Sequence, residues 1–323
     1  MTRGTPIPTR LLLIVLTLTL WAASTNGAAH SRSQSKTRSG RQPRSEVAER
    51  SKRGRLPQPV SFREVRDRGL LIDAWINGQG PFTLALDTGA GTTLISERVA
   101  EAAQLVGTGG RRTSLAGITG NAPIEGHESL IRSLAIGQPD NFLPANSRAM
   151  ITTNLPPSID GILDTTEAFW PWGYSIDMPN RQIEAFDPAL KPLSASRPPP
   201  EGTVVRWLTE SGSRRPFVRL SDGRLALLDT GSGFGLALSG ASVGEGRTRS
   251  RGDVQDIGGG TVMSRRVQPS TVSIGSLTLR GVPTDILSGV ERNSPILLGR
   301  DALDPFKLVF DPLNRLIAIQ PVD

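Results

Sequence analysis

Four short patterns occur twice along this chain of 323 residues, in the same order. They are an apolar run ending in Asp-Thr-Gly (82–89 and 225–231), a run ending in Ile-Gly (134–137 and 272–275), an apolar run before a tight position (161–164 and 296–299) and Asp-x-x-Asn-Arg-x-Ile (177–183 and 311–317). Successive intervals are 50 and 46, then 27 and 24, then 13 and 12 residues. Four collinear matches with such similar spacing indicate that a whole folding unit has been duplicated.

The duplication predicts two homologous lobes, over residues 60–188 and 202–323, joined by a proline-rich linker at 189–201. A chain of this length has room for two domains that each bury a core. The sequence has 35 Gly, 25 Pro and no long apolar run of helical period after residue 30, which favours short strands and many turns. We therefore expect an all-β fold.

Local signals place several elements around the repeated patterns. Asn77-Gly78 lies between two strand-like runs and predicts a hairpin, and Asp222-Gly223 has the same position before the second Asp-Thr-Gly. Ser96 is placed to cap a short helix over residues 97–105.

The N-terminus resembles a secretory signal. Two arginines precede an apolar stretch at 11–23, and small residues follow. We expect residues 1–29 to be a signal peptide and the protein to be exported, either periplasmic or secreted. The alternative is an uncleaved membrane anchor, although the apolar stretch is short of the roughly 20 residues that span a bilayer.

Residues 30–59 form a basic segment with almost nothing to bury, so we expect a disordered tail. Residues 31–55 hold nine Lys/Arg and two Asp/Glu, and the overall net charge of +7 derives from this segment and the signal. The tail is interpreted as a spacer or propeptide, or as a segment that contacts an anionic envelope surface. We expect no nucleic-acid partner.

The residues that are missing or rare exclude several chemistries. The chain has no cysteine, so neither a thiolate metal site nor a cysteine nucleophile is possible. It has two histidines, and only His127 lies in the predicted folded part, with no motif around it. A serine triad or a zinc site would depend on that one residue, so we expect it to be an ordinary surface or hydrogen-bonded histidine and expect neither a metal nor a cofactor.

Each Asp-Thr-Gly follows an apolar strand, and each lobe has one, which predicts that Asp87 and Asp229 meet at the tips of two related turns. Two carboxyl groups held about 3 Å apart cannot both ionise cheaply, so they share one proton. One then acts as a base toward a water molecule and the other as an acid toward a peptide carbonyl. Thr88 and Thr230 can lock the turns through hydroxyl-to-backbone hydrogen bonds, and Gly89 and Gly231 let backbone N–H groups approach the carboxylates.

With these paired turns the chain resembles the aspartic peptidase clan in its bilobal pepsin-like or retropepsin-like form, the standard example of carboxyl groups that share a proton. The resemblance implies an acid protease fold with two β-barrel-like lobes, a cleft between them, and Asp87 and Asp229 as the catalytic pair. It also implies a substrate-binding flap at Gly117, Ile118, Thr119 and Gly120, with a counterpart at 256–260. These glycines would form either a mobile lid or ordinary hairpin tips.

Two departures from the family pattern matter. The single tyrosine, Tyr174, is far in sequence from both flap candidates, so a retropepsin-like flap is the better match. The third pattern ends in Gly299 in the second lobe but in Asp164 in the first, and an acidic residue there is either a harmless variation or a perturbation of the pair. The sequence thus predicts a monomeric aspartic endopeptidase with polypeptide substrates; the alternative is a catalytically inactive peptide- or polymer-binding protein on the same fold.

Overall fold

A computed structural model describes residues 55–66, 68–105, 107–115, 123–144, 147–209, 213–240, 250–255, 261–290 and 294–322. The predicted signal peptide, most of the basic tail and both flap candidates lie outside these residues. Within them, no helix is long and apolar enough to cross a membrane.

The first half of the chain consists of twelve described strands and two short helices. They are β1 (Val60–Ser61), β2 (Arg63–Val65), β3 (Gly69–Ile76), β4 (Gln79–Asp87), β5 (Thr93–Ser96), α1 (Glu97–Ala102), β6 (Gly107–Leu115), β7 (Ile124–Ile131), β8 (Leu134–Ile136), β9 (Ser147–Thr152), β10 (Gly161–Asp164), α2 (Thr165–Ala168), β11 (Gly173–Asp177) and β12 (Gln182–Phe186).

The second half consists of twelve described strands and one short helix. Its described elements are β13 (Thr203–Arg206), β14 (Phe217–Arg219), β15 (Leu225–Asp229), β16 (Leu236–Ser239), β17 (Ser250–Gln255), β18 (Thr261–Arg266), β19 (Ser270–Ile274), β20 (Leu277–Val282), β21 (Thr284–Ser288), β22 (Ile296–Gly299), α3 (Arg300–Leu303), β23 (Phe306–Asp311) and β24 (Leu316–Pro321). The fold is all-β, as the sequence predicts.

The duplication is visible in the strand order of two sheets. In the first half the order is β3-β4-β10-β5-β9-β7-β6, and in the second half it is β14-β15-β22-β16-β21-β18-β17. The strand that leads to each Asp-Thr-Gly has a parallel partner in each sheet, β10 beside β4 and β22 beside β15. Because equivalent strands occupy equivalent positions, the two Asp-Thr-Gly turns leave their sheets in the same way.

A third sheet joins the halves, with strand order β1-β12-β11-β23-β24-β13. Strand β11 of the first half pairs antiparallel with β23 of the second, and Tyr174 on β11 stacks on Phe310 with ring centroids 4.7 Å apart. Both side chains are fully buried. This shared sheet pairs strands of both halves through backbone hydrogen bonds. The lobe boundaries themselves stay a prediction.

The local predictions agree with the structure. Asn77 and Gly78 both have positive φ and connect β3 to β4 in a tight hairpin, and Gly223 does the same between β14 and β15. The oxygen of Ser96 accepts a hydrogen bond from Val99 N–H and caps α1, which ends at Ala102, three residues before the predicted end. Residues 189–201 form neither a strand nor a helix.

Candidate active site

The two Asp-Thr-Gly turns lie at the ends of buried strands. Asp87 is the last residue of β4 and Asp229 the last of β15. Both strands are apolar because they have a partner strand on each side and are covered by core. The aspartates are 1% and 0% exposed, so their ionisation is governed by neighbouring protein groups more than by bulk water.

Reciprocal hydrogen bonds join the first turn (Asp87–Gly89) to the second (Asp229–Gly231). The Thr88 hydroxyl donates to Leu228 O at 2.7 Å and accepts from Thr230 N–H at 3.1 Å. The Thr230 hydroxyl donates to Leu86 O at 3.4 Å and accepts from Thr88 N–H at 3.2 Å. Each threonine therefore bonds the backbone of the opposite strand, and the turns are positioned relative to each other by four buried bonds.

The backbone also holds one oxygen of each carboxylate. Asp87 Oδ1 accepts from Gly89 N–H at 2.7 Å. Asp229 Oδ1 accepts from Gly231 N–H and Ser232 N–H, both at 3.0 Å. Among the described residues, Oδ2 of each aspartate has no hydrogen-bond partner although it is buried. Each carboxylate is thus oriented through one oxygen and has the other free for chemistry.

The Asp229 carboxyl group lies directly against the first turn. A Cβ atom placed on Gly89 would be 2.9 Å from Asp229 Cγ and 3.0 Å from its Oδ1. Such distances are far inside van der Waals contact, so only glycine fits at this position. The two carboxyl groups are consequently neighbours in one buried site.

Burial and mutual repulsion govern the acidity of the pair. Burial raises the pKa of Asp87 well above its ordinary value, and the nearby Asp229 carboxylate raises it further. Burial raises the pKa of Asp229 to about 6, against the opposing effects of the Ser232 N–H and the Arg300 guanidinium. Protons are therefore retained by the pair at pH values where an exposed aspartate is fully ionised.

Asp164 lies beside Asp87, and its carboxylate accepts hydrogen bonds from the helix that follows it. The two residues are Cα partners in the parallel pairing of β10 with β4. Asp164 Oδ1 accepts from Thr166 N–H, the Thr166 hydroxyl and Glu167 N–H at 2.7–3.3 Å, so the side chain caps α2. Burial raises the pKa of Asp164 to about 6 despite these bonds.

The second half cannot use the same arrangement. Gly299 is the Cα partner of Asp229, and a Cβ there would be 2.5 Å from Phe234 O and 2.7 Å from Ser232 O. The backbone approaches so closely that no side chain fits. The Asp164/Gly299 difference therefore has a steric reason and leaves the geometry of both turns intact.

Arg300 is a site residue that sequence reasoning missed. It follows Gly299, is 7% exposed, and its Nη1 donates to Thr230 O at 2.9 Å and Gly231 O at 3.0 Å. Its Nε is 3.7 Å from Glu64 Oε1, a residue of the first half. A charged residue directly after a repeated apolar strand was the available signal, since the same strand ends next to Asp229.

The structure brings six of the ten predicted site residues together. They form one site and are Asp87, Thr88, Gly89, Asp229, Thr230 and Gly231. Gly117, Ile118, Thr119 and Gly120 lie outside the described residues. His127 is exposed on β7, as expected of a surface histidine.

Comparison with protein families agrees with this geometry. A family model described as aspartyl protease matches residues 72–165. The match supports an assignment to the aspartic peptidase clan. The matched segment contains the first Asp-Thr-Gly and ends just after Asp164, so the second turn is assigned by the internal repeat and by its contacts with the first. No curated protein matches the chain.

This match supports a hydrolase of the peptidase class at the level of the family. In such a site no histidine or cysteine nucleophile is needed, because two carboxyl groups can activate water directly. Groups of three or more metal-ligating side chains are not found among the residues described here.

Proposed function

We propose that the protein is an aspartic endopeptidase that hydrolyses peptide bonds with a water molecule activated by Asp87 and Asp229. The observation that carries the proposal is the position of the Asp229 carboxyl group, whose Cγ would be 2.9 Å from a Cβ on Gly89 of the opposite turn. The reciprocal threonine bonds support it, because they bond each turn to the backbone of the opposite strand and so position the two turns together.

The proposed reaction uses the two groups in complementary states. The ionised carboxylate removes a proton from water as the water oxygen bonds to the peptide carbonyl carbon, while the protonated carboxyl group gives its proton to the carbonyl oxygen. The resulting tetrahedral diol collapses as the C–N bond breaks: one diol hydroxyl returns its proton to the carboxylate that had donated one, and the other carboxyl group gives the proton taken from water to the departing nitrogen, so the pair ends with one proton, as it began. No covalent bond forms between the protein and the substrate at any step.

We further propose that the substrate is an extended polypeptide bound in a cleft between two lobes, with apolar side chains beside the cut. An extended chain can pair with strand edges through backbone hydrogen bonds. A flap over residues 117–120 and a monomeric, exported state, periplasmic or secreted, belong to the same proposal. The basic tail would act as a spacer, a propeptide or a weak contact to an anionic surface.

The test compares single amide variants of the full chain on an unfolded protein substrate and a quenched-peptide library between pH 3 and 7. Asp87→Asn and Asp229→Asn should each lower kcat/KM by about 10²- to 10⁴-fold. Asp222→Asn is the matched control, because Asp222 is an exposed aspartate of the hairpin that precedes β15.

Retained turnover in both site variants would refute the proposal. An absence of turnover in the unaltered chain, together with saturable binding of the same peptides, would favour the inactive binding protein. The helix-capping role of Asp164 supports the enzyme over this alternative, because it gives that carboxylate a structural function beside an intact pair of turns.

A further inference from the structure

The two turns differ in how many backbone donors serve each carboxylate. Asp87 Oδ1 accepts one backbone N–H bond, from Gly89, whereas Asp229 Oδ1 accepts two, from Gly231 and Ser232. Hydrogen bonds to a carboxylate stabilise its ionised form. The backbone therefore favours negative charge on Asp229.

The strands beside the turns add an acidic group on one side only. Asp164 is the Cα partner of Asp87, whereas Gly299 is the partner of Asp229. An ionised Asp164 repels negative charge on Asp87 and favours its protonated form. Gly299 exerts no such effect on Asp229.

The positively charged side chain of Arg300 lies against the second turn. Arg300 donates to the carbonyls of Thr230 and Gly231, the second turn itself, and is almost completely buried. Its charge acts on Asp229 more than on Asp87, and the buried Arg215 acts on Asp229 as well. Among the described residues, the other ionisable groups that act on this cluster are Glu64 and Asp301 at Arg300, Glu167 at Asp164, and Tyr174, which is buried near Asp87 and Asp164.

We propose that Asp87 holds the proton that the pair shares while Asp229 is the ionised partner, with Arg300 and Asp164 as the positioning residues that fix this distribution. Asp229 is then the general base that takes the proton from water, and Asp87 is the general acid that protonates the carbonyl oxygen. The catalytic roles rest on the proposed function, but the location of the proton does not.

The direction of the acidity changes is consistent with the same order. Burial raises the pKa of both aspartates; the Asp229 and Asp164 carboxylates raise that of Asp87 as well, whereas the Arg300 and Arg215 guanidinium groups lower that of Asp229. The unequal number of backbone donors, the carboxylate of Asp164 and the guanidinium of Arg300 all favour a protonated Asp87 and an ionised Asp229.

The direct test measures each carboxyl group alone. In Asp87→Asn the only ionisable member of the pair is Asp229, and in Asp229→Asn it is Asp87, so coupling between the two is removed. The matched design gives each remaining carboxyl group an amide neighbour in place of its partner. Both pKa values are read from the pH dependence of the side-chain ¹³C carboxyl shifts of the full chain labelled on aspartate.

We expect lone Asp229 to titrate at least about one pH unit below lone Asp87. Equal values, or a lower pKa for lone Asp87, would overturn the proposal. This readout needs no turnover. A chain without peptidase activity but with the expected order would contradict the proposed function alone, and an active enzyme with the reverse order would contradict only this inference.

The positioning residues are tested in those two backgrounds. Arg300→Gln should raise the pKa of lone Asp229 by about one unit and that of lone Asp87 by less, while Arg300→Lys, which keeps the charge, should restore most of the difference. Asp164→Asn keeps a capping side chain and should lower the pKa of lone Asp87 while leaving lone Asp229 unchanged. If Arg300→Gln does not fold, the Arg300→Lys and Asp164→Asn variants still test the proposal. A pKa shift at Asp229 in Asp164→Asn, or no pKa shift at Asp87 in that variant, would exclude the positioning role of Asp164. A larger pKa shift at Asp87 than at Asp229 in Arg300→Lys would exclude that of Arg300.

The pH profile of kcat/KM gives a second readout. The first ionisation of the pair belongs to Asp229 and the second to Asp87, so the Asp164→Asn variant should move only the alkaline limb, to lower pH. Arg300→Lys should leave the alkaline limb in place and move the acid limb slightly to higher pH. A purely structural role would lower activity without moving either limb, and that result would overturn the assignment.

Discussion

Removing the Thr88 hydroxyl should weaken the fold and the site together. That hydroxyl donates to Leu228 O at 2.7 Å and accepts from Thr230 N–H at 3.1 Å, with both threonines fully buried. The change Thr88→Val keeps the shape of the side chain and removes both bonds. It leaves a buried N–H without its partner and deprives a buried carbonyl of a donor.

The expected cost follows from these two bonds. A typical buried hydrogen bond contributes about 1 kcal/mol, and a buried polar group left unpaired costs about 1–3 kcal/mol. We therefore expect the free energy of unfolding to fall by about 2–4 kcal/mol. Thr230→Val should cost less, because the bonds of the Thr230 hydroxyl are longer, at 3.2 and 3.4 Å. Thr88→Ser keeps the hydroxyl and should lose only about 1 kcal/mol for the buried methyl group.

Urea denaturation followed by tryptophan fluorescence measures these differences, with kcat/KM measured on the same samples. Because the hydroxyl bonds position the carboxyl groups, a displacement of about 1 Å in Thr88→Val would lower kcat/KM by about 10²-fold. The reasoning fails if Thr88→Val is as stable as Thr88→Ser, or if Thr230→Val is the more damaging of the two valine variants.

Three further predictions concern the surroundings of the pair. Gly89→Ala should lower kcat/KM by about 10²-fold or more, because its Cβ would be 2.9 Å from Asp229 Cγ; unchanged kinetics would contradict the close approach. Gly299→Ala should cost about 1–3 kcal/mol in urea denaturation, since its Cβ would be 2.5 Å from Phe234 O, and an unaltered midpoint would refute that packing. A third prediction concerns pH. The folded-state pKa of Asp164 is raised from 3.8 to about 6, so its contribution to stability is complete below about pH 4 and is lost as the pH rises through 6. Asp164→Asn should consequently gain about 2–3 kcal/mol relative to the unaltered chain between pH 4 and 7, and a pH-independent difference would contradict the shift.

The repeated patterns were sufficient to predict the duplicated part of the fold. Equivalent apolar runs specify equivalent strands, so the sheet order β4-β10-β5-β9 in the first half reappears as β15-β22-β16-β21 in the second. The pairing of β11 with β23 was not predictable in this way, because it joins residues 130–136 positions apart and depends on how the halves pack. Sequence periodicity defines a strand but not its distant partner.

At the site, the sequence predicted the two turns but not the buried arginine that bonds to the second turn. Arginine is rarely buried, so the position of Arg300 directly after an apolar strand was the one local signal, and it did not predict contact with the second turn. Its burial follows from the carbonyls of Thr230 and Gly231, which are oriented toward it only in the folded state. Asp164 was recognised as unusual, but its role depends on a four-residue helix too short to predict from sequence.

The most direct measurement of the central claim is a high-resolution crystal structure at acidic pH with the positions of Asp87 Oδ2, Asp229 Oδ2 and nearby water refined. Our account predicts that both oxygens contact a single water molecule at about 2.5–3.0 Å, between the two turns. Two carboxyl groups that point into separate spaces, each with water molecules of its own, would contradict the account.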